Sequence, residues 1–179
     1  MQEQLNKLKE KEFDKWIKEV FIKIQNAWNE NKINALVPLE SGILLERDAQ
    51  KMQILELEGK REVRKDTVVH YVDIYHYEKD GNVEIVKALV KATLENYIYQ
   101  TGTNEVVEGI RDYNITKIYR ITLKKRYNFG SELGKQIVNC KACNAKVDLK
   151  ASGKCTYCGT MVYTEDHDWA VVEIEEVND

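Results

Sequence analysis

The sequence predicts an α+β fold in which the helices come first and pack on one face of an antiparallel sheet. Three observations carry this. Apolar residues recur at three- and four-residue steps up to about residue 58, then alternate from about residue 62. The helical stretches precede the strands and do not interleave with them, so a parallel βαβ sheet is not expected. The 179 residues are 43% hydrophobic, which suffices for one core plus a small extra module.

The first helix is expected over 4–31. Leu5, Leu8, Phe13, Trp16, Ile17, Val20, Phe21, Ile24 and Trp28 form its apolar stripe, and Lys and Glu fill the other face. A second helical stretch covers 32–37 and stops at Pro38. A third covers 41–58. Ser41 can cap it, Ile43, Leu44, Leu45, Met52, Leu55 and Leu57 supply apolar surface, and Gly59 ends it. The period then becomes two. In 62–78, Val68, His70, Val72, Ile74 and His76 alternate with Val69, Tyr71, Asp73, Tyr75 and Tyr77. Lys79-Asp80-Gly81-Asn82 is a hairpin turn. The strand 83–101 sets Val86, Ala88, Val90, Ala92 and Leu94 on one face and Lys87, Lys91 and Glu95 on the other. A third strand covers 113–127 and a fourth covers 168–177.

Between these last two strands lies the strongest chemical signal. Cys140, Cys143, Cys155 and Cys158 form two C-x-x-C pairs with 11 residues between them. Each pair can place two thiolates on one tight turn, and a short hairpin can bring the turns together. Four thiolates fill a tetrahedral zinc site with no vacant position, which is a structural and not a catalytic arrangement. Asn144 and Gly159, just after the pairs, tolerate the left-handed backbone such turns need. Two disulfides in an exported protein are the alternative, and MQEQLNKLKEKEF lacks the apolar stretch of a signal peptide. Redox chemistry at C-x-x-C expects a strand–helix setting that follows neither pair. The ribbon is expected over 137–163, inserted into a body formed by 1–136 and 164–179.

Charge narrows the partners. There are 27 basic and 30 acidic residues, and 137–179 holds four lysines against eight acids. An acidic ribbon is repelled by phosphate, so nucleic acid is not expected. No stretch approaches the roughly 18 apolar residues of a membrane span.

Four segments in order carry a family resemblance. They are IQNAWNENKINALVPL at 24–39, VEIVKALVKATLENY at 83–97, NEVVEGIRDYNITKIYRITLKKR at 104–126 and DWAVVEIEEV at 168–177. Together they resemble the C-terminal domain of the mitochondrial inner-membrane translocase subunit 44 and its bacterial relatives. That resemblance implies a nuclear transport factor 2-like cone. It further implies a non-enzymatic domain with an apolar pocket for lipid or membrane-associated protein partners. Some bacterial relatives carry a similar late four-cysteine ribbon, whereas the mitochondrial protein does not.

The pocket is expected to be lined by Trp28, Leu36, Leu44, Leu55, Val86, Val90, Ile121 and Val172, residues that in a filled cone would be plain core. Lys117, Arg120, Lys124, Lys125 and Arg126 are candidates for headgroup contact. The outer sheet face is a candidate homodimer surface. A cytoplasmic, membrane-associated location fits these readings. The competing function is a pocketed enzyme of the same cone, with His70, His76, Asp73 and Tyr71, Tyr75, Tyr97 or Tyr99 in acid–base roles. No pair of these must converge, so no catalytic residue is assigned.

Overall fold

The computed structural model describes residues 12–126, 137–148 and 154–177. Helix α1 spans Phe13–Asn29 and buries Phe13, Ile17, Val20, Phe21, Ile24, Ala27 and Trp28, the spacing that puts one stripe against a core. Leu5 and Leu8 lie outside the described residues. Asn31 adopts φ 54° just after α1. The expected helix over 32–37 is instead one 3₁₀ turn, Ile33–Ala35. Six residues between a left-handed Asn31 and Pro38 leave no room to repay helix nucleation.

Helix α2 spans Gly42–Leu57, and Ser41 caps it by accepting from the Leu44 N–H at 3.3 Å. Its buried stripe is thin. Only Leu44, Asp48 and Met52 are buried, while Ile43 and Leu57 are 84% and 80% exposed. Gly59 takes φ 65° immediately beyond, where a residue with a Cβ is strained.

Four strands form one antiparallel sheet in the order β1-β2-β3-β6. Their bounds are β1 Lys60–Asp80, β2 Val83–Gln100, β3 Val106–Arg126 and β6 Ala170–Glu176. β2 keeps the expected alternation: Val86, Ala88, Val90, Ala92 and Leu94 are all buried and join the α1 stripe in one core. Ile121, Leu123 and Val171 extend that core across β3 and β6. Burying each such side chain contributes about 1.5–3 kcal/mol.

β1 departs from the expected alternation. Its register against β2 shifts between Lys65 and Val68, between Val69 and Tyr71, and between Ile74 and His76. Each shift moves the following side chains to the other face. So Val69 and Ile74 are both buried, and Val72 and Tyr77 pack on the same core, while Val68 is exposed. β3 carries a larger irregularity. Between the pairs Tyr97–Gly109 and Glu95–Asn114 it has three more residues than β2. Gly109 sits there at φ 77°, where a Cβ would lie 2.5 Å from the Asn96 carbonyl oxygen. Asp112, at φ 58°, donates its N–H to Glu95 at 2.9 Å. Glu95 thereby becomes buried, although it belongs to the face of Lys87 and Lys91.

Between β3 and β6 lies a separate two-stranded sheet, β4 Ile137–Asn139 paired with β5 Lys146–Asp148. A 3₁₀ turn, Thr164–Asp166, leads from it into β6. β6 is tied to the start of α2: Ser41 N–H donates to the Val171 carbonyl and Val171 N–H to the Leu39 carbonyl, both at 2.8 Å.

Candidate functional site

The four cysteines converge. All four Sγ atoms lie within 4.8 Å of one another, with Cys140–Cys158 at 3.6 Å and Cys143–Cys155 at 3.5 Å. The two pairs are built alike. Asn144 N–H closes on the Cys140 carbonyl at 2.7 Å, and Gly159 N–H on the Cys155 carbonyl at 2.8 Å. Asn144 and Gly159 both have positive φ, 60° and 74°. These are two matching knuckles facing each other. A tetrahedral ion with metal–sulfur bonds near 2.3 Å sets sulfurs about 3.8 Å apart, so the cluster is compatible with metal binding. All four thiols are free of disulfides. The Thr160 hydroxyl and N–H hold the Cys158 thiol down to about 6. Beside it, the Ala145 N–H favours the Cys143 thiolate, but the neighbouring sulfurs of Cys155, Cys158 and Cys140 push that thiol up to about 12. Thiolates this close repel one another, and a bound cation relieves the repulsion.

A cavity of about 580 Å³ opens where α1, α2 and the sheet meet. Ile24, Trp28, Leu44, Leu94, Ile98, Ile110, Tyr113 and Ile115 give it an apolar wall. Ile110 and Tyr113, beside the β3 irregularity, are more than half exposed. Around this wall runs a charged collar of Arg47, Asp48, Lys51, Glu62, Arg64, Glu108, Lys117 and Glu176.

Most of the collar is internally paired. Glu62 is buried and meets Arg64 at 2.6 Å and Lys51 at 2.9 Å. Burial alone would raise the Glu62 carboxyl, but Arg64 and Lys51 outweigh it and bring it down to about 2. The same two cations lie over the Trp28 ring, Arg64 at 4.0 Å and Lys51 at 5.0 Å from its centroid. Trp28 Nε1 donates to Asp48 Oδ2 at 3.2 Å. Next to Asp48 is Glu40, 1% exposed, and in its ionised form neither carboxyl oxygen meets a donor among the described residues. Burial, with the Asp48 charge added, pushes the Glu40 carboxyl up to about 9. Its proton supplies a donor to share with Asp48.

The eight expected pocket residues divide. Trp28 and Leu44 line the cavity. Leu55 is half-buried and lines a smaller recess with Trp28. Leu36, Val86, Val90 and Ile121 are fully buried in the main core and line none of these hollows. Val172 is half-buried. The basic stretch is largely engaged: Lys117 pairs with Glu176 at 2.6 Å, Arg120 with Glu175 at 3.4 Å and Arg126 with Asp166 at 3.0 Å. His70 hydrogen-bonds Thr93 at 2.7 Å on the exposed surface, and His76 lies 3.5 Å from Glu78. Neither histidine lines the cavity. Tyr71 and Tyr75 are exposed, while Arg111 covers the Tyr97 and Tyr99 rings.

A second hollow of about 770 Å³ runs along the outer side of α1, between Trp16, Val20 and Ala27 on one wall and Ile33, Pro38, Leu39 and Trp169 on the other. Sequence periodicity points to neither this groove nor the buried acids Glu40, Asp48 and Glu62.

A model of the Tim44-like domain matches residues 2–135. The chain belongs to this family. Membership in the Tim44-like family implies a membrane-associated scaffold role in protein translocation, in a non-enzymatic family. Among solved structures, the crystal structure of the intermembrane space region of the chloroplast protein ARC6 is similar at 11% identity and a TM-score of 0.43. The match covers 93% of this chain and 97% of that one. No curated protein matches. Among its described residues the architecture of this Tim44-like chain is α+β, two helices against a curved four-stranded antiparallel sheet, in keeping with a nuclear transport factor 2-like cone. No helix among its described residues is long and apolar enough to cross a membrane.

Proposed function

We propose that this Tim44-like chain is a non-enzymatic binding and scaffold domain. Its cavity takes an apolar group from a lipid or a membrane-associated protein, and its ribbon holds one structural zinc. The observation that supports this most is the cavity itself. An apolar wall of eight side chains opens inside a collar most of whose charges are engaged with one another. Such a lining can accept an uncharged chain. Cys140, Cys143, Cys155 and Cys158 are the zinc ligands, and four thiolates leave the ion no open position for chemistry. Free thiols fit a reducing compartment such as the cytoplasm.

The test is a titration of the full chain with oleate, read by tryptophan fluorescence, since Trp28 lines the cavity. Saturation near one oleate per chain is expected. Ile110→Arg places a charge on the cavity wall at a side chain 62% exposed, so folding is spared while binding weakens at least tenfold. Equal binding by that variant would place the ligand elsewhere and remove the cavity's role.

A further inference from the structure

We infer that metal occupancy of the cysteine cluster governs how α2 is seated, and is thereby linked to binding in the 580 Å³ cavity, through the three-residue joint Thr164–Asp166. The inference rests on the zinc and cavity reading above. Each residue of the joint ties to a different element. The Thr164 hydroxyl donates to the Val37 carbonyl at 2.6 Å. The Glu165 carboxylate accepts from the N–H of Gly42, the first residue of α2, at 3.1 and 3.3 Å. Buried Asp166 pairs with Lys141 on the first cysteine knuckle and with Arg126 at the end of β3, each at 3.0 Å. The Tyr163 ring lies so close over Gly42 that a Cβ there would meet it at 2.5 Å.

The ribbon's own core reaches the same place. Val138, Cys140, Val147, Cys155 and Val162 form one apolar cluster with Val37, and Leu45 of α2 packs against it. One residue away, Leu44 faces the cavity, followed by Asp48 and Lys51. The first turns of α2 are therefore held between the ribbon and the cavity.

Two three-residue strands and five small apolar side chains cannot hold a fold alone, so the ribbon depends on its metal. Without the metal the knuckle carrying Lys141 loosens. Asp166 then loses one of its two cations, and Val37 and Leu45 lose the cluster they pack on. The start of α2 is freed, and with it one wall of the cavity. Linkage makes the effect reciprocal: a cavity ligand that needs α2 seated tightens the zinc by the same factor.

The experiment compares three full-length samples by hydrogen exchange, with zinc counted in each. They are the zinc-loaded chain, the chain stripped by a chelator under reducing conditions, and a zinc-loaded Thr164→Val/Glu165→Ala variant. Expected is an increase of about tenfold in exchange over the first turns of α2 in both the stripped chain and the variant. β2 and α1 should stay unchanged, and the variant should keep its zinc. Unmoved α2 protection after stripping overturns the coupling while leaving the zinc reading intact. A seated α2 in the variant overturns the role of the joint. A reduced chain that takes up no zinc overturns the metal reading and the coupling together.

Discussion

Replacing Glu40 with Gln should stabilise this protein at neutral pH. Glu40 is 1% exposed, and its carboxyl is raised from the usual range to about 9 by burial and by the neighbouring Asp48 charge. Between about pH 4.5 and 9 the folded chain therefore carries a proton on Glu40 that the unfolded chain has lost. Folding takes up that proton, so the stability it allows is full below about pH 4.5 and declines as pH rises toward 9. Each pH unit in that window costs about 1.4 kcal/mol, or about 3 kcal/mol by pH 7. Gln keeps the shape and a donor for Asp48 but has no proton to lose. The assay is urea unfolding by tryptophan fluorescence at pH 5, 6, 7 and 8, with both chains zinc-saturated so that metal effects cancel in the difference. The variant's advantage should be small at pH 5 and grow by about 1.4 kcal/mol per unit, with the urea dependence unchanged. A difference independent of pH, or a variant less stable at pH 8, would show that Glu40 is not held protonated in the folded chain.

Other residues give equally definite expectations. Arg64→Ala leaves the buried Glu62 carboxylate with Lys51 alone and should cost about 3 kcal/mol in chemical unfolding. Glu62 is held at about 2, so its contribution is present above the normal carboxylate range and lost as pH falls from about 4.5 toward 2. Acid unfolding of Glu62→Gln should accordingly be flatter over that interval. Gly109→Ala forces a Cβ to 2.5 Å from a backbone oxygen at positive φ, and a loss of about 2 kcal/mol or more should appear as a lowered Tm. Cys155→Ser should release the metal and unfold the ribbon while β1, β2 and β3 remain protected in hydrogen exchange; loss of protection throughout the sheet would merge ribbon and body into one cooperative unit.

What the sequence discloses, and what it conceals, follows from the range of the interactions. α1 and β2 are readable because each buries one face and its period is uninterrupted from Phe13 to Trp28 and from Val86 to Leu94. The cysteine cluster is readable because its geometry is set by short knuckles that fold locally. β1 is not, since its bulges depend on pairing with β2, and the one between Val69 and Tyr71 brings Val69 onto the same face as Val72 and Ile74. Buried Glu40, Asp48 and Glu62 were equally hidden. A charged residue goes inside only when partners such as Trp28, Lys51 and Arg64 arrive from other elements. For the same reason the basic run 117–126 reads as a free patch in one dimension, while acids of the 3₁₀ turn and β6 pair with three of its members in space. Leu36, Val86, Val90 and Ile121, expected to line a pocket, are buried in the core, because alternation marks which residues face inward and cannot mark where packing leaves a gap.

Native mass spectrometry of the full chain, before and after mild denaturation, probes the zinc ribbon and the cavity at once, because one spectrum counts metal and ligand together. One zinc per chain, released on unfolding, is expected, together with a single adduct of lipid mass retained after incubation with oleate and lost with the fold. A metal-free chain lighter by the hydrogens of two disulfides, with no adduct at any oleate concentration, would rule out both the zinc ribbon and the lipid cavity.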